Sequence, residues 1–136
     1  MNKLFIDSNV WLRFILEDNE QAEECKKLIK LIEEGRFRVY TSSIVMLEIN
    51  FVLSSIYKIR MIDVIKDLEA ILKTRNITLL EKTDFNKALS WHKQFKIKLA
   101  DCLIGSQIDK NMILVSFDKD FDKLPVKVKT PGELVD

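Results

Sequence analysis

The stretch Leu4-Phe5-Ile6-Asp7-Ser8-Asn9-Val10-Trp11-Leu12 decides the fold. Three apolar residues in a row are a short buried strand. Asp7-Ser8-Asn9 breaks the run with three residue types that cap helix N-termini. Apolar residues then return at helical spacing from Val10 to Leu16. A strand that feeds directly into a helix is half of a βαβ unit, and a carboxylate stands at the junction.

The same pattern recurs along the chain. Gln21 to Glu34 reads as an amphipathic helix with Ala22, Cys25, Leu28, Ile29 and Ile32 on one face, stopped by Gly35. Phe37 to Thr41 is a second strand. Ser42-Ser43 caps a helix running to about Tyr57, and another helix spans roughly Ile62 to Thr74, with Val64, Ile65, Leu68, Ile71 and Leu72 as its buried stripe. Ile77 to Leu80 is a third strand. Thr83 or Asp84 caps a helix carrying Ala88, Leu89, Trp91, His92 and Phe95. Ala100 to Asp109 is helical, Met112 to Phe117 is a fourth strand, Val126 to Val128 a fifth, and Pro131-Gly132 marks a late turn. Strands alternating with helices predict an α/β sandwich with a parallel sheet. In such sheets the ligand crevice lies beyond the carboxyl ends of the strands, where the strand order reverses.

Four acidic residues fall on that rim. Asp7 and Asp118 each follow a strand, Glu48 lies early in the helix after the second strand, and Asp101 opens the helix that leads into the fourth. All four border apolar runs, where an unpaired carboxylate is costly. Taken singly, Asp7 and Asp101 have a plain reading as helix caps, and Asp118-Lys119-Asp120 as a turn. Glu48 resists such a reading most, because its helical neighbours Ile44, Val45, Phe51 and Val52 are all apolar; a buried salt bridge is its structural alternative. Together, four converging carboxylates would hold a divalent cation, which points to phosphodiester chemistry.

Bulk properties narrow the choice of function. The 136 residues fit one domain, 1–136, with a substantial core. Lys and Arg number 22 against 21 Asp and Glu, so the chain is no generic polycation and nucleic acid would have to meet a local basic patch. Cys25 and Cys102 have no ligand-like spacing and read as reduced, buried thiols. Met1-Asn2-Lys3 enters a strand at once and no apolar run reaches the ~20 residues of a membrane span, so a cytoplasmic location is expected. His92 is the sole histidine, which argues against histidine-based ribonuclease chemistry and against zinc. There is no glycine-rich phosphate loop and no nucleophile elbow.

Phe5-Ile6-Asp7-Ser8-Asn9, the helical Glu48, Leu99-Ala100-Asp101-Cys102-Leu103-Ile104 and Val115-Ser116-Phe117-Asp118-Lys119-Asp120-Phe121, in that order, resemble the motifs of PIN-domain nucleases, especially the VapC-type toxins of toxin–antitoxin pairs. The resemblance covers nearly the whole chain. It implies a three-layer α/β/α sandwich whose parallel sheet of four to five strands is ordered 3-2-1-4-5, and an endoribonuclease dependent on Mg²⁺ or Mn²⁺. Asp7 would be the central metal ligand, completed by Glu48, Asp101 and Asp118, with a metal-activated water as nucleophile and Ser8, Asn9 and Ser116 as hydrogen-bonding support behind the ligands. Asp120 is a possible additional ligand. The resemblance also implies a cognate antitoxin, inserting a short peptide into the cleft, and a homodimer drawing on apolar residues of Ile44–Tyr57 and Ile62–Leu72.

Lys93, Lys96 and Lys98, just before Asp101, with Arg13, Lys58 and Arg60 adding to one side of the cleft, are candidates for an RNA phosphate track; a solvated helix end is the plain alternative. Tyr57 and Trp91 could stack on bases, although core packing accounts for them as well. Three other functions compete. One is a PIN nuclease of RNA maturation or decay with no toxin role, and another is a metal-free binding module on the same fold. The third, a phosphatase using Asp7 as nucleophile, wants a second Asp where this chain has Asn9.

Overall fold

The computed structural model describes residues 2–135. Its elements run β1 (Asn2–Ile6), α1 (Ser8–Leu16), α2 (Gln21–Glu33), β2 (Phe37–Ser42), α3 (Ser43–Phe51), α4 (Met61–Leu72), β3 (Ile77–Leu80), α5 (Phe85–Phe95), α6 (Leu99–Ser106), β4 (Met112–Val115), β5 (Val128–Lys129) and α7 (Pro131–Leu134). A π-helical segment, Val52–Ile56, continues α3, and a 3₁₀ turn, Lys119–Lys123, follows β4.

The sheet is parallel throughout and ordered β3-β2-β1-β4-β5. The chain moves outward from β1 to β2 to β3, then crosses back to β4 on the other side of β1. Right-handed crossovers therefore put α1 to α4 on one face and α5 and α6 on the other. The reversal of direction falls between β1 and β4, and those two strands pair from Lys3↔Met112 to Ile6↔Val115. Leu4, Phe5, Ile6, Leu114 and Val115 are fully buried there, as strands covered by helices on both faces require.

Local chemistry sets the element ends. Asp7, in extended conformation, accepts the Ser8 amide at the start of α1, and Ser42 Oγ accepts the Val45 amide at the start of α3. Asp84, one of the two capping candidates before α5, takes the Lys87 amide. Gly35 closes α2 at φ 84°, a backbone conformation that favours glycine. Lys96 ends α5 in the left-handed region, and the His92 ring meets the Ile97 carbonyl, which fastens the tight turn into α6. His92 is exposed on this turn.

Four expectations change. The fifth strand is Val128–Lys129 rather than Val126 to Val128, pairing Leu114↔Val128 and Val115↔Lys129. The fourth strand ends at Val115 rather than Phe117, because Ser116 turns its hydroxyl into the site described below. In α4 the buried residues are Val64 and Ile71, with Leu68 half-buried; Ile65 and Leu72 face outward, since the helix docks along a narrow i, i+7 seam. Pro131-Gly132 begins a short helix closed by a capping box between Thr130 and Glu133.

Candidate active site

The geometry begins at the β1/β4 junction. The Asp7 amide donates to the Val115 carbonyl at 3.0 Å, so Asp7 extends the ladder by one residue and its carboxyl sits on the rim. Oδ1 accepts the Ser8 amide at 2.8 Å, and Oδ2 accepts the Ser116 hydroxyl at 2.8 Å. Ser116 Oγ in turn accepts from Asn9 Nδ2 (3.1 Å) and from the Asp118 amide (3.0 Å). Asn9 Oδ1 takes the Phe117 amide at 3.3 Å. Residues over a hundred positions apart thus form one network that fixes Asp7 and Asp118 on either side of the strand reversal. Ser8 takes part through its backbone.

Glu48 and Asp101 arrive from the two helical layers. α3 packs against α6 and α1 as well as β2, which carries Glu48 to the rim. Asp101 lies in the first turn of α6 and is buried. Glu48 is half-buried, and its Oε1 has no hydrogen-bond partner. The ion pairs among the described residues involve Arg13, Lys26, Arg60 and Lys123; none includes Asp7, Glu48, Asp101 or Asp118.

Proton affinities record this crowding. Burial pushes the Glu48 carboxyl up to about 7, helped by the charges of Asp7, Asp101 and Asp118 and opposed by Lys98. Burial pushes Asp101 up to about 6; Lys98 opposes, while Asp7, Asp118 and Asp120 add to the rise. Burial raises Asp7 too, against the hydrogen bonds from Ser116 and Ser8. Desolvation therefore leads in all three, with like-charge repulsion added. The four acids lie near enough to feel one another. Among the described residues, however, no group of three or more acidic, cysteine or histidine side chains is closed around a single point as metal ligands.

The donors nevertheless suit a hard divalent cation: they are carboxylate oxygens, one has an orphaned buried atom, and among the described residues no lysine or arginine pairs with them.

The remaining candidates separate. Among the described residues Lys98 is the basic side chain whose charge acts on Asp7, Glu48 and Asp101 alike. Lys93 and Lys96 are exposed at the end of α5. Arg13 bonds Gln21 at 3.2 Å and lies 3.8 Å from Asp18. Asp120 is exposed and pairs with Lys123 at 3.6 Å, while its amide donates to Asp118 Oδ1 at 2.9 Å. Tyr57 donates to Asp18, and the Trp91 ring packs on Gly105 beneath Lys87.

One feature of the site lies outside the sequence reading. A cleft of about 510 Å³ opens beside Glu48, bounded by Ile44, Leu47, Phe51, Val52, Ile56 and Lys98 together with Ala100. Its signal was the excess of apolar residues in Ile44–Phe51, more than one buried helix face can use.

No curated protein matches the sequence. Among solved structures the chain is similar to VapBC2 from Rickettsia felis bound to a fragment of its promoter DNA (17% identity, TM-score 0.66, 94% of this chain and 98% of that one). It is also similar to PAE2754 from Pyrobaculum aerophilum (14%, TM-score 0.68, 98% and 87%) and to VapBC-1 from nontypeable Haemophilus influenzae (14%, TM-score 0.66, 95% and 98%). At these identities the likeness establishes the fold. The model of one protein family, the PIN domain, matches residues 4–127 and so takes in all four rim carboxylates and the strands that present them: the chain belongs to the PIN domain family.

Proposed function

We propose that this protein is a divalent-metal-dependent endoribonuclease and the toxin of a toxin–antitoxin pair. The observation that carries the proposal is the set of four carboxylates, drawn from four separate elements to the rim of one sheet, where Asp7, Glu48 and Asp101 have raised proton affinities and, among the described residues, no lysine or arginine forms an ion pair with any of the four. Asp7, Glu48, Asp101 and Asp118 would hold Mg²⁺ or Mn²⁺, with Asp120 available as a further oxygen donor. A divalent ion bound there supplies an acidified water and neutralises charge developing on the phosphate.

The chain's own residues do the rest. Ser116 and the Ser8 amide hold the Asp7 carboxyl in one orientation, and Asn9 fixes Ser116. Such support keeps oxygen donors aimed without reorganisation during the reaction. Lys98, on the lip of the site, attracts the phosphate backbone of RNA. Attack by water at phosphorus leaves a 5′-phosphate and a 3′-hydroxyl.

The antitoxin assignment draws on the similar fold of two VapBC structures. A basic antitoxin side chain placed among the four carboxylates would neutralise them and block substrate. The outward-facing Met61, Ile62 and Ile65 of α4 offer an apolar face for a protein contact, with a second copy of this chain or with the antitoxin.

The test is cleavage of labelled RNA with Mg²⁺ or Mn²⁺, with EDTA, and with the Asp7→Asn variant. Metal-dependent cutting that Asp7→Asn abolishes supports the reading; RNA binding without cutting in any metal would leave a binding module. Growth arrest on expression, relieved by Asp101→Ala, separates a toxin from an RNA-maturation enzyme.

A further inference from the structure

The cleft beside Glu48 differs from the protein's other hollows in what it joins. One wall is the α3 face carrying Glu48 and Phe51, continued by Val52, and the other is Lys98 at the cap of α6 with Ala100 in its first turn. Phe51 is 59% exposed, an unusual state for a phenylalanine one helical turn from a half-buried carboxylate. Leu47 and Ile56 are also open to solvent. Beneath them α3 gives way to the π-helical Val52–Ile56, a geometry that recurs at functional sites, and both ends of that segment line the cleft. The cleft thus offers an aromatic face, an apolar floor and an ammonium group, and it runs into the proposed catalytic centre through Glu48.

Those are the parts of a nucleotide subsite. Aromatic side chains stack on unpaired bases, and a neighbouring cation takes the phosphate. Charge complementarity selects the occupant: an aliphatic partner surface would need no ammonium, whereas a nucleotide needs both. The continuity with Glu48 places its phosphate on the path to the site of cleavage. We propose that Phe51 and Lys98 bind the nucleotide flanking the scissile phosphate, its unpaired base stacked on Phe51. Besides Lys98 and Glu48 the cleft wall is apolar, so little hydrogen-bonded reading of base edges is available. The subsite selects unpaired over paired RNA and favours purines through their larger stacking area. The inference rests on the ribonuclease reading and names how that site holds its substrate.

The experiment is an abasic scan. Single-stranded RNA oligonucleotides, each lacking one base near the cleaved bond, are compared as substrates of wild type, Phe51→Ala and Phe51→Trp. In wild type, one abasic position should lower kcat/KM by roughly 10- to 100-fold, the scale of base–aromatic stacking. Phe51→Ala should lose that penalty while cutting intact RNA correspondingly more slowly, and Phe51→Trp should keep it. Lys98→Ala should flatten the salt dependence by about one phosphate contact. The same oligonucleotides are titrated against the Asp7→Asn protein with and without Phe51→Ala, so that binding is read independently of turnover. A wild type that cuts nothing while Asp7→Asn binds RNA through Phe51 would remove the nuclease reading and keep the subsite. An abasic penalty identical in wild type and Phe51→Ala overturns the subsite. So does a Phe51→Ala protein changed only in its association with a second copy or another protein.

Discussion

Replacing Glu48 with glutamine separates the stability of this fold from its chemistry. The Glu48 carboxyl binds its proton up to pH about 7, against an ordinary value of 4.5, because the site desolvates it and surrounds it with like charge. The folded protein therefore holds a proton that the unfolded chain has released. Between those two values stability falls as pH rises, and above about 7 the whole penalty is present. Each tenfold change in proton affinity is about 1.4 kcal/mol, so the full displacement would come to about 3.5 kcal/mol. Glu48 is only half-buried, and solvent screening reduces this to about 1–2 kcal/mol. Glutamine keeps the shape and carries no charge. Glu48→Gln should then gain about 1–2 kcal/mol at pH 8, a rise of roughly 3–8 °C in Tm for a chain of this size. At pH 4.5, where Glu48 is neutral in the folded protein and half ionised in the unfolded chain, the gain should shrink to about 0.4 kcal/mol. Urea and thermal unfolding at the two pH values, in EDTA, measure it. The same variant should lose nuclease activity. A Glu48→Gln protein no more stable than wild type at pH 8, or equally stabilised at both pH values, would refute the reasoning.

Cleavage should fall as pH drops below about 7 and further below about 6, as Glu48 and Asp101 take up protons and cease to be available as anionic donors; a rate independent of pH from 5 to 8 would contradict this. Ser116→Ala strips Asp7, Asn9 and the Asp118 amide of a shared partner and should cost about 1–3 kcal/mol in urea unfolding, with a loss of activity larger than the loss of folded protein. Gly105→Ala would place a Cβ 2.7 Å from Leu124 Cδ1 and 3.3 Å from the Trp91 ring. Overpacking of about 1–3 kcal/mol exceeds the gain of about 1 kcal/mol in helix propensity, so the variant should unfold at lower urea, and a stabilised one would show that Leu124 yields. Cys25, buried and pushed up to about 12, and the buried Cys102 should both resist thiol reagents until the protein is unfolded; rapid labelling of native protein would contradict that burial.

The sheet could be read from the chain because its strands are short apolar runs ending in caps. Leu4-Phe5-Ile6 and Met112–Val115 are buried on both faces, and such segments show in the sequence as unbroken apolar runs. The rim placement of Asp7 and Asp118 follows from that pattern and from the crevice rule for parallel sheets. What failed to show has a common physical origin. A periodic stripe reveals which residues are apolar but not how far a helix rolls against its neighbour, so Ile65 and Leu72 were assigned to a core they do not enter. The π-helical turn after Phe51 depends on backbone bonds shifted by one residue, such as Tyr57 N–H to the Val52 carbonyl at 3.0 Å, and it leaves no residue-type signature. Lys98 was one of three neighbouring lysines in the sequence; the short connection Lys96–Lys98 between α5 and α6 singles it out by placing it opposite Glu48.

The Ser116 hydroxyl has a consequence beyond its bond lengths. Two N–H groups point at its oxygen, and its single hydrogen is left one direction, toward Asp7. A rotor that would sample three wells on a free serine is confined to one, and its entropy is spent when the chain folds rather than when substrate arrives. Threonine would keep the oxygen but add a methyl group to a site that is 98% enclosed, and cysteine would replace a strong donor with a weak one. At this position the fold accepts serine because no other side chain is at once so small and so directional.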